Sequence, residues 1–382
     1  MDSHEPEKFI DELRRWGEGV QDCENHKPLG VVGRGPHFAP PRKEGSRVRR
    51  HNSMAATRWG IASAGMIASD FVSAMKALPA EEHRLVAVAA RSLNNAQAFR
   101  DKHGVEKAYE SYAKLAEDPD IDVVYVGVIQ VHHLAVASMM LKAGKHVLCE
   151  KPLCMNVQET KQLIDLAREN KVFLMEAVWS RFFPVYREMM KRIAAGEIGD
   201  VVQVIASFGK AAEHVERLVR KDTGGGATLD MGIYTVQFAT LVMGGDKPLK
   251  VLAGGHLNKE GVDVVASASL VYPKGRTASL STTIRADLPS EAFVVGTKGT
   301  IKVSYPMWCP ESFESPSGTY TAPLPVTGQT YNFNNSQGLM YEAAEVRRCI
   351  NAGLLESPGM SHGESITIAE VMEQMRAQMG VI

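Results

Sequence analysis

From Thr57 to Phe182 the chain repeats one unit: a short apolar run without polar alternation, a turn, and an amphipathic stretch with apolar residues every three or four positions. The runs "RWGIAS", "HRLVAVAAR", "IDVVYVGVI", "KHVLCE" and "VFLMEAV" read as the first, second, fourth, fifth and sixth strands, with "SLNNAQAFRDKHG" and "VQETKQLIDLARENK" as helices between them. Strands lacking alternation belong to a sheet covered on both faces. The rhythm therefore predicts a doubly wound parallel sheet, a Rossmann α/β domain over residues 57–181.

Past Phe182 the rhythm breaks. Alternating runs such as "DVVQVIASFG", "LKVLAGGHL", "VVASASLVY", "RTASLSTTIRA", "EAFVVGTKG" and "GTIKVSY" follow one another with little helix between them. One helical stretch, "ATLDMGIYTVQFATLVMG", enters behind Gly224-Gly225-Gly226, and two more, around "GLMYEAAEVRRCINAG" and "SITIAEVMEQMRAQMG", close the chain. These predict a C-terminal α+β domain over 182–382, with a large, mainly antiparallel open sheet and terminal helices that pack back on the Rossmann domain. Chemistry is expected in the cleft between the domains, and the open sheet face is expected to pair with a second copy in a homodimer.

A formal net charge of -1 over 382 residues argues against a chain that works by neutralising nucleic-acid phosphates. Five cysteines, Cys23, Cys149, Cys154, Cys309 and Cys349, are odd in number and without C-x-x-C spacing. They indicate neither a disulfide framework nor a metal site, and they point to a reducing, cytoplasmic setting. No uncharged apolar segment reaches the roughly 18 residues of a membrane span. Residues 1–56 read as a disordered extension holding one short amphipathic helix on Phe9, Leu13 and Trp16, and the acids at its start argue against a mitochondrial presequence. The basic run Arg47 to Arg50 reads as a solvated tail in preference to a nuclear signal, and Met54 is a candidate natural start.

"GIASAGMIASDF" sits where the first strand hands over to the first helix. Ser63, Gly65 and Ala68 occupy the positions where a dinucleotide fold needs small residues, so that the amides near Met66 and Ile67 can approach a pyrophosphate. With one glycine among the three, an ordinary tight turn is the competing reading. The second strand ends in "AARSLNN", where Arg91 and Ser92 suit a 2′-phosphate and no carboxylate opposes it, so NADP is expected over NAD. Arg91 as a solvated surface residue and Ser92 as a helix N-cap are the plainer alternatives.

The fifth strand ends in Glu150-Lys151-Pro152. Ligands lie beyond the carboxyl ends of parallel strands, and proline restricts Lys151 to a defined direction, which makes Glu150 and Lys151 candidates for cofactor contact. A surface Glu-Lys pair is the alternative. Asp230 and Tyr234 are four apart and share a face of an ordinary helix. Tyr234 can serve as a base for an alcohol if a cation such as Lys151 favours its phenolate. A half-buried core tyrosine and a helix-entry aspartate fit the same residues. His133 can touch cofactor or cap its helix, Glu176 can shape the cleft floor, and Trp179, Phe208, Trp308 and Phe333 can form an aromatic wall or simply core.

Together "RWGIAS", "VAVAARS", "GKHVLCEKP", "FLMEAVWSRFFP", "GGGATLDMGIYTVQF", "GTKG" and "WCP" resemble the glucose-fructose oxidoreductase/inositol 2-dehydrogenase (Gfo/Idh/MocA) family, over almost everything from Thr57 to Ile382. Many members carry histidine in the "D-x-G-x-H" motif where this chain has Tyr234, which places it with a branch that uses tyrosine. The resemblance implies an NADP-dependent enzyme that oxidises trans-dihydrodiols of aromatic hydrocarbons to catechols and D-xylose at its anomeric carbon. It also implies Tyr234 as proton acceptor, Lys151 lowering its pKa and orienting the hydroxyl, Asp230 fixing the constellation, and Trp179, Phe208, Trp308 and Phe333 lining the substrate pocket. "VIQVHHLAV" lacks the proline common in relatives, and the N-terminal extension lies outside the family pattern. A dehydrogenase of another sugar or of inositol, and a non-catalytic NADP-sensing regulator, are the competing functions. A sensor has no need of Lys151, Asp230 and Tyr234 together.

Overall fold

The computed structural model describes residues 55–382. The expected N-terminal helix, the Gly/Pro/Arg-rich stretch, the Arg47 to Arg50 run and Met54 lie outside the described residues.

Six parallel strands form the first sheet: β1 (Thr57–Ala62), β2 (His83–Ala89), β3 (Lys107–Tyr109), β4 (Val123–Val126), β5 (His146–Glu150) and β6 (Leu174–Ala177). Their order is β3-β2-β1-β4-β5-β6. Trp59, Ile61, Val124 and Leu148 are fully buried, as strands covered by helices on both faces must be. β3 is three residues of mixed character and has no apolar run to announce it. Some of the helices between the strands begin on short polar side chains: Ser92 accepts from the Asn95 amide and Asn156 from the Glu159 amide. Strand order reverses between β1 and β4, so a crevice opens beyond the carboxyl ends of these strands.

The second sheet has eight strands: β7 (Val201–Gly209), β8 (Lys250–Leu257), β9 (Asp263–Val271), β10 (Thr277–Thr283), β11 (Ala292–Gly296), β12 (Thr300–Val303), β13 (Ser312–Ser315) and β14 (Gly318–Thr321). They run in the order β14-β13-β12-β11-β7-β10-β9-β8. All neighbours are antiparallel except β7 and β10, which pair in parallel. The period of two sorts the side chains: one row, Val251, Leu270, Ala278, Val204, Val294 and Ile301, is buried. The adjacent row, Leu252, Ser269, Ser279, Ile205 and Phe293, lies on the other face, where Leu252 and Ile205 are exposed.

The helix Ile233–Val242 packs on β7 and β10. It is continuous with its first residues, as expected, but Thr228–Gly232 wind as a π-helical turn. Buried Asp263 takes both the Thr228 amide (2.7 Å) and the Thr228 hydroxyl (2.6 Å) and pins the entry of this segment. The terminal helices cross to the first sheet. From Leu339–Asn351, Arg347 donates to the Thr57 hydroxyl (2.9 Å); from His362–Met379, Arg376 donates to the Met155 carbonyl (2.9 Å). At the end of this last helix Gln378 accepts from the Ala253 amide (2.8 Å) and donates to the Val251 carbonyl (2.9 Å), both on the edge strand β8. Among the described residues no helix is long and apolar enough to cross a membrane.

Candidate active site

A cavity of about 1030 Å³ lies in the crevice, bounded by the ends of β1, β2, β4 and β5 and by residues carried on the second sheet. Its volume suits a large organic ligand. Lys151, the first residue after β5, is joined to Pro152 by a cis peptide bond. Its ammonium donates to the Asp230 carbonyl (2.7 Å), stands 3.9 Å from the Asp230 carboxylate and lies 4.9 Å from the centroid of the Tyr234 ring. The residue after β5 thus meets the π turn and the helix behind it on one wall, which brings Lys151, Asp230 and Tyr234 together.

Trp179 comes from the short 3-10 turn after β6, and its indole N–H donates to the Tyr234 oxygen (2.9 Å). An indole can only donate. It therefore leaves the phenol's own proton to point elsewhere and favours the ionised form of that oxygen. Phe208 and Trp308 stack face to face beside this group, 4.0 Å apart and within 7° of parallel. Phe333 lines the same cavity from a later loop and is partly exposed.

Burial, then the Glu150 carboxylate, push the Tyr234 phenol well above its ordinary range, and the Trp179 N–H opposes them. The expectation that Lys151 brings this pKa down is thus outweighed in the chain by itself. Burial also raises Asp230, but Lys151 and Arg217 more than offset it and its pKa lies below the usual value. Arg217 was not anticipated: it donates to Asp230 Oδ1 at 2.9 Å, from a short helix with no local motif to mark it. Burial holds the Glu150 pKa up against the pull of Lys151, and Tyr125 donates to Glu150 Oε1 (2.6 Å).

The other candidates separate. Arg91 lines the far end of the cavity with Asn95 and Tyr112. Ser92 is absent from that lining, and its oxygen caps the following helix. The His133 ring lines the cavity with its nitrogens 2.8 Å from the Pro152 carbonyl and 2.9 Å from the Val128 carbonyl, and burial favours the neutral ring, which donates to one of the two; the N-cap position belongs to His132. Glu176 lies beneath the wall, takes the Leu153 amide (2.9 Å), and is pushed up to about 7 by burial.

A dinucleotide fits the remaining surface. The helix Met66–Met75 starts at Gly65 without a side-chain cap, and Ser63, Gly65, Met66 and Ile67 line the cavity. An uncapped helix start offers free amides and partial positive charge to a pyrophosphate. A Cβ on Gly65 would stand 3.1 Å from the Ser63 oxygen, so the small residue keeps this approach open.

Residues 57–178 match the family described as "Oxidoreductase family, NAD-binding Rossmann fold", and 186–302 match "GFO/IDH/MocA C-terminal domain". The chain is 50% identical over 327 residues to trans-1,2-dihydrobenzene-1,2-diol dehydrogenase of Danio rerio, covering 86% of this chain and 98% of that one. It is 42% identical over 327 residues to the protein of the same name in Sus scrofa, covering 85% and 98%. Among solved structures it resembles KijD10, a 3-ketoreductase from Actinomadura kijaniata in complex with NADP and TDP-benzene, at a TM-score of 0.73 and 26% identity, covering 85% and 98%. The fold is shared with an aldose-aldose oxidoreductase from Caulobacter crescentus at a TM-score of 0.74, 22% identity and coverage of 85% and 97%. With its first sheet and most of its second matched in turn and its relatives aligned over nearly their whole length, the chain belongs to the GFO/IDH/MocA family of nicotinamide-dependent oxidoreductases.

Proposed function

We propose that the chain is an NADP-dependent dehydrogenase that oxidises trans-1,2-dihydrobenzene-1,2-diols to catechols, with Tyr234 as general base. The observation that carries this is the Tyr234 oxygen in the cavity, held by the Trp179 N–H at 2.9 Å with the Lys151 ammonium at 4.9 Å from its ring. The names of the relatives at 42% to 50% identity supply the substrate class.

When bound, a nicotinamide ring accepts hydride from a carbinol carbon. Ser63, Gly65, Met66 and Ile67 would hold the pyrophosphate, and Arg91 with Asn95 the 2′-phosphate; the acids lining the cavity, Glu150 and Asp230, sit beside Lys151. Tyr234 takes the hydroxyl proton as the carbinol becomes a carbonyl, and the ketone so formed from a dihydrodiol enolises to the catechol. Trp179 keeps its hydrogen bond to the Tyr234 oxygen throughout. Lys151 supplies positive charge that favours the Tyr234 phenolate needed to take that proton, and Asp230, shared with Arg217, keeps that ammonium in place.

Oxidation of D-xylose at its anomeric carbon is the second activity, because the stacked Phe208-Trp308 pair offers a flat surface to a sugar face as well as to an aromatic ring. The uncovered face of the second sheet, with Ile205 and Leu252 on it, supports a homodimer, and the buried unpaired cysteines among the described residues suit the cytoplasm. Steady-state rates on dihydrodiols, pentoses, other sugars and inositol, with NADP and with NAD, test the reading. Turnover of dihydrodiol with NADP, lost in Tyr234→Phe while NADPH binding persists, is the expected result. No reduction of either cofactor across the panel leaves the sensor reading in its place.

A further inference from the structure

The helix whose start faces the cofactor carries a fully buried acid, Asp70, with no part in the chemistry above. Both its oxygens accept from the Asn332 amide (2.9 and 3.0 Å). Oδ1 also accepts from the Asn332 side chain (2.6 Å), and Oδ2 from the Phe333 amide (3.0 Å) and the Ser336 hydroxyl (2.7 Å). Every one of these donors comes from a single loop some 262 to 266 positions later, and none is a cation. Aspartate is a poor helix-interior residue, and a buried carboxylate is costly unless its lone pairs are satisfied. The arrangement holds the loop and does little for the helix.

The same loop is tied on its other sides. Asn332 reaches the Met66 carbonyl (3.3 Å), Asn334 the Tyr305 hydroxyl (2.9 Å) and Asn335 the Cys309 carbonyl (2.8 Å). Just beyond it Gly338 presses on Phe183, where an added Cβ would fall 2.0 Å from the ring. Asn332, Phe333 and Asn334 line the cavity alongside Gly65 and Met66. Residues 331–336 therefore run from the helix start that suits a pyrophosphate to the Tyr305–Cys309 turn that carries Trp308.

We propose that residues 331–336 form a strap that retains the nicotinamide nucleotide, with Asp70 as its anchor and a positioning residue for cofactor binding. The proposal rests on the cofactor reading above. A dinucleotide lying against Gly65 and Met66 leaves only when the strap lifts, and lifting it breaks the hydrogen bonds to Asp70. The anchor thereby sets the rate of cofactor release and, through the backbone of Phe333, the position of one wall of the substrate pocket.

The test measures NADPH release from the full chain by stopped-flow fluorescence, together with hydrogen exchange of the segment containing Asn332 and Phe333. Asp70→Asn keeps the shape of the side chain but turns an amide towards donors. Its release rate is expected to rise by about tenfold or more, in line with hydrogen bonds to a charged acceptor, with exchange protection of the segment lost. Asn332→Ala removes an exposed side chain with its bonds to Asp70 and to the Met66 carbonyl, leaves the backbone and Ser336 bonds to Asp70 in place, and is expected to raise the rate less, about threefold. A release rate in Asp70→Asn within about twofold of the parent, or a segment still protected, overturns the strap; should that variant fail to fold, an unchanged rate in Asn332→Ala does so. If the parent binds neither NADPH nor NADH, the cofactor reading itself falls and the strap with it, an outcome distinct from tight parental binding that the variants leave unaltered.

Discussion

The indole N–H of Trp179 donates to the Tyr234 oxygen across 2.9 Å, linking residues 55 positions apart in the chain. Oxidation needs that oxygen to become an acceptor with negative character. Trp179→Phe keeps the ring and removes the donor, so the phenolate becomes harder to form. A bond to an ionised oxygen contributes about 1.5–3 kcal/mol, and kcat is expected to fall by roughly tenfold to a hundredfold. The acidic limb of the pH-rate profile for diol oxidation should move to higher pH, with cofactor affinity unchanged. A fall in rate without that displacement assigns Trp179 to substrate packing alone.

Arg91 stands just past the end of β2 and lines the cavity with Asn95 and Tyr112. Arg91→Ala should weaken NADP binding by about tenfold or more, as for a charge-assisted contact, and NAD binding by about twofold at most. Titration calorimetry with both nucleotides reads the difference, and equal losses would remove the 2′-phosphate assignment.

Glu176 gives stability a pH dependence of defined sign. Burial raises its pKa from 4.5 to about 7, so between those values the folded chain binds more protons than the unfolded one. Its contribution is fully present below the unfolded value and is lost as pH rises through the folded one, about 3 kcal/mol in all. Glu176→Gln should flatten this slope in urea unfolding measured at pH 5 and pH 8. A slope identical to that of the parent would show that another group titrates.

Gly226 has a φ of 135°, and an added Cβ would stand 2.3 Å from Oδ1 of Asp263, the residue that pins Thr228. Gly226→Ala is expected to cost about 2 kcal/mol or more and to displace the π turn that presents Asp230. Thermal unfolding and diol turnover should both suffer. Gly104, also at positive φ but with open space around its Cβ position, serves as the comparison in which only stability responds.

The repeated βαβ rhythm was legible because each long strand of the first sheet is a continuous apolar run, set by burial on both faces. β3 was not, since three residues with Lys107 at their head carry no such pattern. In the second sheet alternation revealed the strands but not the parallel pairing of β7 with β10, which depends on the connection between them and not on either strand. Lys151 could be read from its place at a strand end, and Asp230 and Tyr234 from their spacing. The Trp179-Tyr234 bond, Arg217 and the donors around Asp70 depend on distant segments meeting, and no local pattern encodes that. Ser92 shows the reverse: its cap position was visible, and the cap is where its oxygen is engaged.

The amide of Gln378 presents one donor and one acceptor to β8, as a residue of a neighbouring strand would. A side chain at the end of the last helix thus imitates a ninth strand for the length of a single peptide. Any segment trying to extend the sheet on this border must first evict that mimic and lift the helix bearing it. Growth by strand addition is blocked there.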